Sequence, residues 1–142
     1  MTTLLSPKDL DKIAHEEELA KASKALEAMK RKEDEQRELH EAFMHRDIHP
    51  QVKERVNAAV GRAARAGEKE LMVVSFPASY CNDAGRRINN AEPDWPDSLE
   101  GFARIAYDYY DRELKPLGFK VQARVLDYPG GMLGKIGLFL MW

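Results

Sequence analysis

Residues 79–90 form a dense polar stretch that holds the chain's one thiol beside a carboxylate, two guanidinium groups and three amides: Ser79, Tyr80, Cys81, Asn82, Asp83, Gly85, Arg86, Arg87, Asn89 and Asn90, with only Ala84 and Ile88 among them. Cys81 is the single cysteine. A nucleophilic thiol needs a lowered pKa, supplied by a helix N-terminus or a nearby cation. Arg86 and Arg87 would provide the charge, and Asn82 or Asp83 would orient a partner. A Cys–His pair would have to import its histidine, because all four histidines lie in the first half of the chain. Cys81 and Asp83 are therefore the catalytic candidates. The plainer reading is a half-buried thiol that fills space.

Arg86 and Arg87, followed by Asn89 and Asn90, are the ligand-binding candidates. Guanidinium groups grip phosphate or carboxylate through paired donors, and asparagine amides add neutral ones. No glycine-rich loop with a phosphate-binding lysine accompanies them. Surface arginines more often pair with neighbours such as Asp83 or Glu92. Trp95, set between Pro93 and Pro96, is either a binding platform or a pin that folds back and fixes the loop. His40, His45 and His49 lie near Glu41 and Asp47, but Pro50 and the spacing of five between the first two spoil a zinc arrangement. No metal and no cofactor is assigned.

The bulk properties set the frame for these residues. With 44% hydrophobic and 32% charged residues, the chain suits a globular fold. Its 22 basic residues nearly balance 24 acidic ones, so no global field steers it toward nucleic acid or anionic membrane. The longest apolar runs, Leu71 to Val74 and Leu138 to Trp142, fall far short of the roughly 20 residues that span a bilayer. Lys8, Asp9 and Asp11 sit where a signal peptide would be apolar. With one cysteine there is no internal disulfide, and a reducing cytoplasm is the expected compartment.

Two kinds of element must position the loop. Ser6-Pro7 is a strong helix start, and no glycine or proline interrupts the chain until His49-Pro50. A helix is expected to about Arg46, whether as one rod or two segments. Leu10, Ile13, Leu19, Ala22, Leu26 and Met29 are read as one apolar stripe and form the candidate interface. With Leu19 at position a of a heptad, Ala22, Leu26 and Met29 fill d, a and d, and this coiled-coil seam breaks at Glu33 and Gln36. Pro50 forces a break. A second helix follows to about Ala66, with Val52, Val56, Ala59, Val60 and Ala63 as its stripe and Gly67 as its stop.

The second half changes character. Glu70 to Phe76 reads as a strand apolar on both faces. Asp97-Ser98-Leu99-Glu100 resembles a capping box opening a helix to about Lys115. Phe119 to Tyr128 alternates, with Lys120, Gln122 and Arg124 on a wet face. Pro129-Gly130-Gly131 turns the chain into a last strand, Lys135 to Trp142, apolar on both faces. The expected fold is α+β. A helix–break–helix segment (1–68) precedes a split β-α-β-β unit (69–142) with a three-stranded sheet in the order first–third–second. The capped helix should cover one face of the sheet and the N-terminal helices the other.

These patterns favour an interaction or regulatory protein that self-associates through its N-terminal helices, with a dimer the expected oligomer and a protein partner possible for the loop at 79–95. A small enzyme or anion-binding protein using that loop is the alternative. RNA binding on Lys120, Gln122 and Arg124 is a weaker one, because basic and aromatic residues interleave poorly.

Overall fold

The computed structural model describes residues 2–142 and has an α+β fold. Helix α1 (Pro7–His45) and helix α2 (Val52–Arg65) precede strand β1 (Glu70–Pro77). A one-turn helix α3 (Arg86–Asn89) and helix α4 (Gly101–Tyr109) follow, then strands β2 (Lys120–Val125) and β3 (Lys135–Met141). The sheet has the order β1-β3-β2, with β3 antiparallel to both neighbours. This is the split arrangement expected from the sequence.

The chain separates into two compact units, one ending at Glu41 and the other running from Ala42 to Trp142. The sequence boundary at 68/69 differs because α2 and the last turn of α1 belong with the sheet: Phe43 packs against its core. The first unit is a single uninterrupted helical stretch. The Ser6 hydroxyl accepts the Asp9 backbone N–H at 3.2 Å, and the Asp9 carboxylate accepts from the Ser6 backbone N–H at 2.9 Å. This reciprocal cap explains why α1 begins at Pro7. No residue of α1 is buried.

The second unit is built on the inner face of the sheet. Ile136, Leu138 and Leu140 are 0–1% exposed there, each stabilising the fold by roughly 1.5–3 kcal/mol through burial. Ile136 and Leu138 cluster with Phe76, Ala78, Cys81, Ile88, Leu99 and Ala103, and Phe43, Trp95, Tyr107 and Val125 pack around them. Helix α2 ends in a reversed cap: Gly67 adopts φ +83°, and the Glu68 N–H reaches back to the Ala63 carbonyl at 2.9 Å.

Two expectations are corrected. First, the N-terminal helices do not divide the sheet faces with α4. Val52 and Val56 of α2 share a cavity with Phe102 of α4, Leu138 and Leu140, so both helices lie over the same face. The other face carries Met72, Phe139, Leu126 and Arg124, and no helix of this unit covers it: Met72 and Leu126 are exposed. Its apolar atoms are shielded instead by Arg124, whose guanidinium stacks 4.2 Å from the Phe139 ring centre.

Second, Asp97-Ser98-Leu99-Glu100 does not open a helix as a capping box: Ser98 is fully buried, and its hydroxyl donates to the Trp95 carbonyl at 2.7 Å, closing a 3₁₀ turn over Trp95–Ser98. Helix α4 starts later, at Gly101. It widens into a π turn over Tyr110–Leu114 and tightens into 3₁₀ to Leu117, where Gly118 at φ +104° ends it.

Candidate functional site

The polar loop leaves β1 as a 3₁₀ turn, Ala78–Tyr80, whose Ala78 N–H is tied to the Gly134 carbonyl at 2.8 Å. The next residue points inward. Cys81 is only 6% exposed, and burial pushes its thiol up to about 11, against a smaller opposing effect of the Ser98 hydroxyl. A thiol of that acidity holds almost no thiolate at neutral pH, so it is not an activated nucleophile.

Asn82 clamps the two ends of the loop. Its backbone N–H donates to the Ser98 carbonyl at 2.9 Å, and its side-chain amide donates to the Asp97 carbonyl at 2.8 Å. Asp83 then organises α3. Its carboxylate accepts the Gly85 N–H at 2.9 Å and the Arg87 N–H at 3.0 Å. Burial works to raise the Asp83 carboxyl, but the N–H donors of Arg87 and Gly85, helped by both guanidinium charges, outweigh it and hold the group below the usual carboxylate range. Gly85 must be a glycine: it sits at φ +87°, and a β-carbon would meet Ala78 and Ile136 side chains at 3.1 Å. That close approach lets Ile88 enter the core.

The two arginines turn outward and find carboxylates. Arg86 pairs with Glu92 at 3.2 Å, and Arg87 pairs with Asp94 at 3.3 Å, with Asp83 further off at 4.0 Å. The Asn89 side-chain oxygen accepts the Tyr128 hydroxyl at 3.0 Å, while Asn90 ends α3 and is exposed. Trp95 stands edge-on to Tyr107 with ring centres 5.5 Å apart, and packs on the core.

The loop residues singled out from sequence therefore do not converge. Cys81 faces the interior, Asp83 serves the backbone, and Arg86 and Arg87 serve acidic neighbours within the loop. A shallow cleft beside the loop is lined by Ser79, Ala84, Asn89, Tyr128 and Met132, and none of Cys81, Asp83, Arg86 or Arg87 reaches it. On the second sheet face, Arg124 is held by the Glu70 carboxylate (Nη1–Oε1 3.0 Å) and by Gln122 (2.8 Å). His49 accepts the Gln51 N–H through Nδ1 at 3.0 Å. Among the described residues, no three His, Cys, Asp or Glu side chains are placed to hold a metal ion, and no helix is long and apolar enough to cross a membrane.

Sequence reasoning misses the Ser98 hydroxyl's bond to the Trp95 carbonyl, the Tyr128 hydroxyl's bond to Asn89, and the apolar cavity beneath α2. The valine stripe of α2 was visible. The space under it was not, because it arises from how α2 seats on the sheet.

On α1, Leu19, Leu26 and Met29 are 57%, 66% and 60% exposed. Leu10 and Leu19 are nine residues apart in one continuous helix, and at roughly 3.6 residues per turn that separation is two and a half turns. Leu10 thus lies on the opposite side of the helix, and Ile13 also falls outside the arc of Leu19, Ala22, Leu26 and Met29. The candidate interface splits into two patches, and only the second keeps heptad spacing on one face.

No protein-family model matches this chain, and neither a curated protein nor a solved structure matches it significantly.

Proposed function

We propose that this protein is a non-enzymatic interaction protein of a reducing compartment that self-associates through α1, along the seam Leu19, Ala22, Leu26 and Met29. The observation that carries this reading is the exposure of large apolar side chains at heptad spacing on a helix of 39 residues with no buried residue. Helices of that composition gain most of their stability from packing an apolar stripe against a partner, and contiguous exposed stripes mark interfaces. A second copy is the simplest partner, because a two-fold pair of identical helices buries both stripes at once. The charged residues Arg31 to Arg37 end the seam, which limits the contact to about three turns and suits a dimer that exchanges rather than an obligate one.

The loop at 79–95 supports this non-enzymatic reading in its own way. Its polar side chains are spent on holding the loop shut, and they leave no convergent set of acid, base and nucleophile. Light scattering on the intact chain tests the proposal: a species heavier than the monomer supports it, and a monomer over the whole accessible concentration range refutes it.

A further inference from the structure

Between α2, α4 and the inner face of the sheet lies an apolar cavity of about 140 Å³. Val52 and Val56 of α2 form one wall, Phe102 and Tyr109 of α4 another, and Leu138 and Leu140 of β3 the floor. No residue lining it carries a charge. Among the described residues no buried side-chain nitrogen or oxygen lacks a hydrogen-bond partner. Water in such a space would find few polar groups to bind, and the walls forgo the dispersion contacts of a filled core.

The space exists because α2 seats lightly. Its 14 residues include none that is buried. Shallower grooves run along both of its flanks, one against Leu71 and Val73, the other against Glu113 and Leu117. The strand β1 bulges between Met72 and Val74, and the extra residue, Val73, lines the cavity while remaining 46% exposed. Val73 thus marks a mouth through which the interior can be reached. The break before α2 and the left-handed Gly67 after it give the helix freedom to yield at both ends.

We infer that this cavity is a binding site for a small uncharged apolar molecule the size of one aromatic ring, admitted at the edge of α2. An engineered cavity of about 150 Å³ lined by aliphatic and phenylalanine side chains takes up benzene. The space here is of that class, with room inside for about one ring. Phe102 and Tyr109 offer ring edges and faces to an aromatic guest. The site lies entirely in the second unit and owes nothing to the seam on α1.

Benzene titrated into the intact protein tests the inference, read by methyl NMR and by the melting temperature. Saturable shifts confined to the methyl groups that line the cavity, those of Val52, Val56, Leu138 and Leu140 foremost, with a melting temperature that climbs with benzene concentration, are expected. Val56→Trp fills the cavity and should abolish the response while leaving the circular dichroism spectrum intact. Val73→Phe serves the same purpose should the tryptophan prevent folding. Benzylammonium, of similar shape but charged, should give no response. No saturable shift in the native protein would overturn the assignment. So would an undiminished response in the folded filled variant, or an equal response to benzylammonium.

Discussion

Gly101 and Met44 meet backbone against backbone. A β-carbon on Gly101 would stand 2.8 Å from the Met44 Cα and 3.0 Å from the Phe43 carbonyl oxygen, and Gly101 is itself held at φ +59°. This contact seats the end of α1 on the start of α4 and delivers Phe43 to Phe76, Tyr80 and Phe102, with ring centres 5.6, 5.0 and 6.1 Å away.

Gly101→Ala should therefore lose stability twice, through about 1–3 kcal/mol of backbone strain and roughly 1–3 kcal/mol more of overpacking. Gly130 is the control: it has φ +62°, close to that of Gly101, and nothing near its missing β-carbon, so Gly130→Ala should show strain alone. Urea unfolding of the two variants checks this. Equal losses would contradict the close contact.

Asp83 should make the loop acid-sensitive. Its folded pKa is depressed, so the stability it contributes is complete above the unfolded value of about 3.9 and disappears as pH falls through the lower folded value. Asp83→Asn offers one acceptor oxygen to two backbone donors and should cost about 1–3 kcal/mol at neutral pH. Urea midpoints of both proteins should converge only in acid below the ordinary carboxylate range. A gap unchanged into strong acid would mean that the carboxylate charge is not what holds α3.

Cys81 should be nearly inert to thiol reagents in the folded state. Disulfide-exchange labelling at mild alkaline pH is expected to be slow in buffer and fast in urea, because the thiol is buried with a pKa of about 11. The sign of the linkage is set by the raised value. Stability from the neutral thiol is complete below its ordinary value of 9.0 and is lost as pH rises through about 11. Rapid labelling of the native protein would reopen a nucleophilic role.

The fold was legible where burial left a periodic trace. The alternation Val121, Ala123, Val125 against Lys120, Gln122, Arg124 placed β2, and the turn at Pro129-Gly130-Gly131 placed its pairing with β3. The second sheet face misled, because Met72, Phe139 and Met141 look as if they need a covering layer. Arg124 supplies part of that cover from within the sheet, and a long side chain with an apolar stem leaves no period to read. The stretch Asp97-Ser98-Leu99-Glu100 misleads for the opposite reason: its residue types suit a capping box, but Leu99 and Ala103 pack into the core and the helix starts at Gly101. At the loop, residue types suggested chemistry while partners decided otherwise. Arg86 and Arg87 follow the plainer reading, pairing with Glu92 and Asp83, and Asp94 is the partner it lacks. The stripe on α1 passes for one face only if the six-residue step from Ile13 to Leu19 is overlooked. The unbroken helix separates Leu10 from Leu19 by half a turn, so only Leu19 to Met29 share a face.

The most direct test of self-association compares solution masses of the native chain and two double variants by sedimentation equilibrium. The native protein, with a monomer mass of 16.2 kDa, should give twice that mass at micromolar concentration. Leu19→Glu with Leu26→Glu should give the monomer while the second unit keeps its near-ultraviolet dichroism. Leu10→Glu with Ile13→Glu, on the other side of the helix, should leave the dimer intact. A native monomer, or a dimer indifferent to charges at Leu19 and Leu26, would contradict the account.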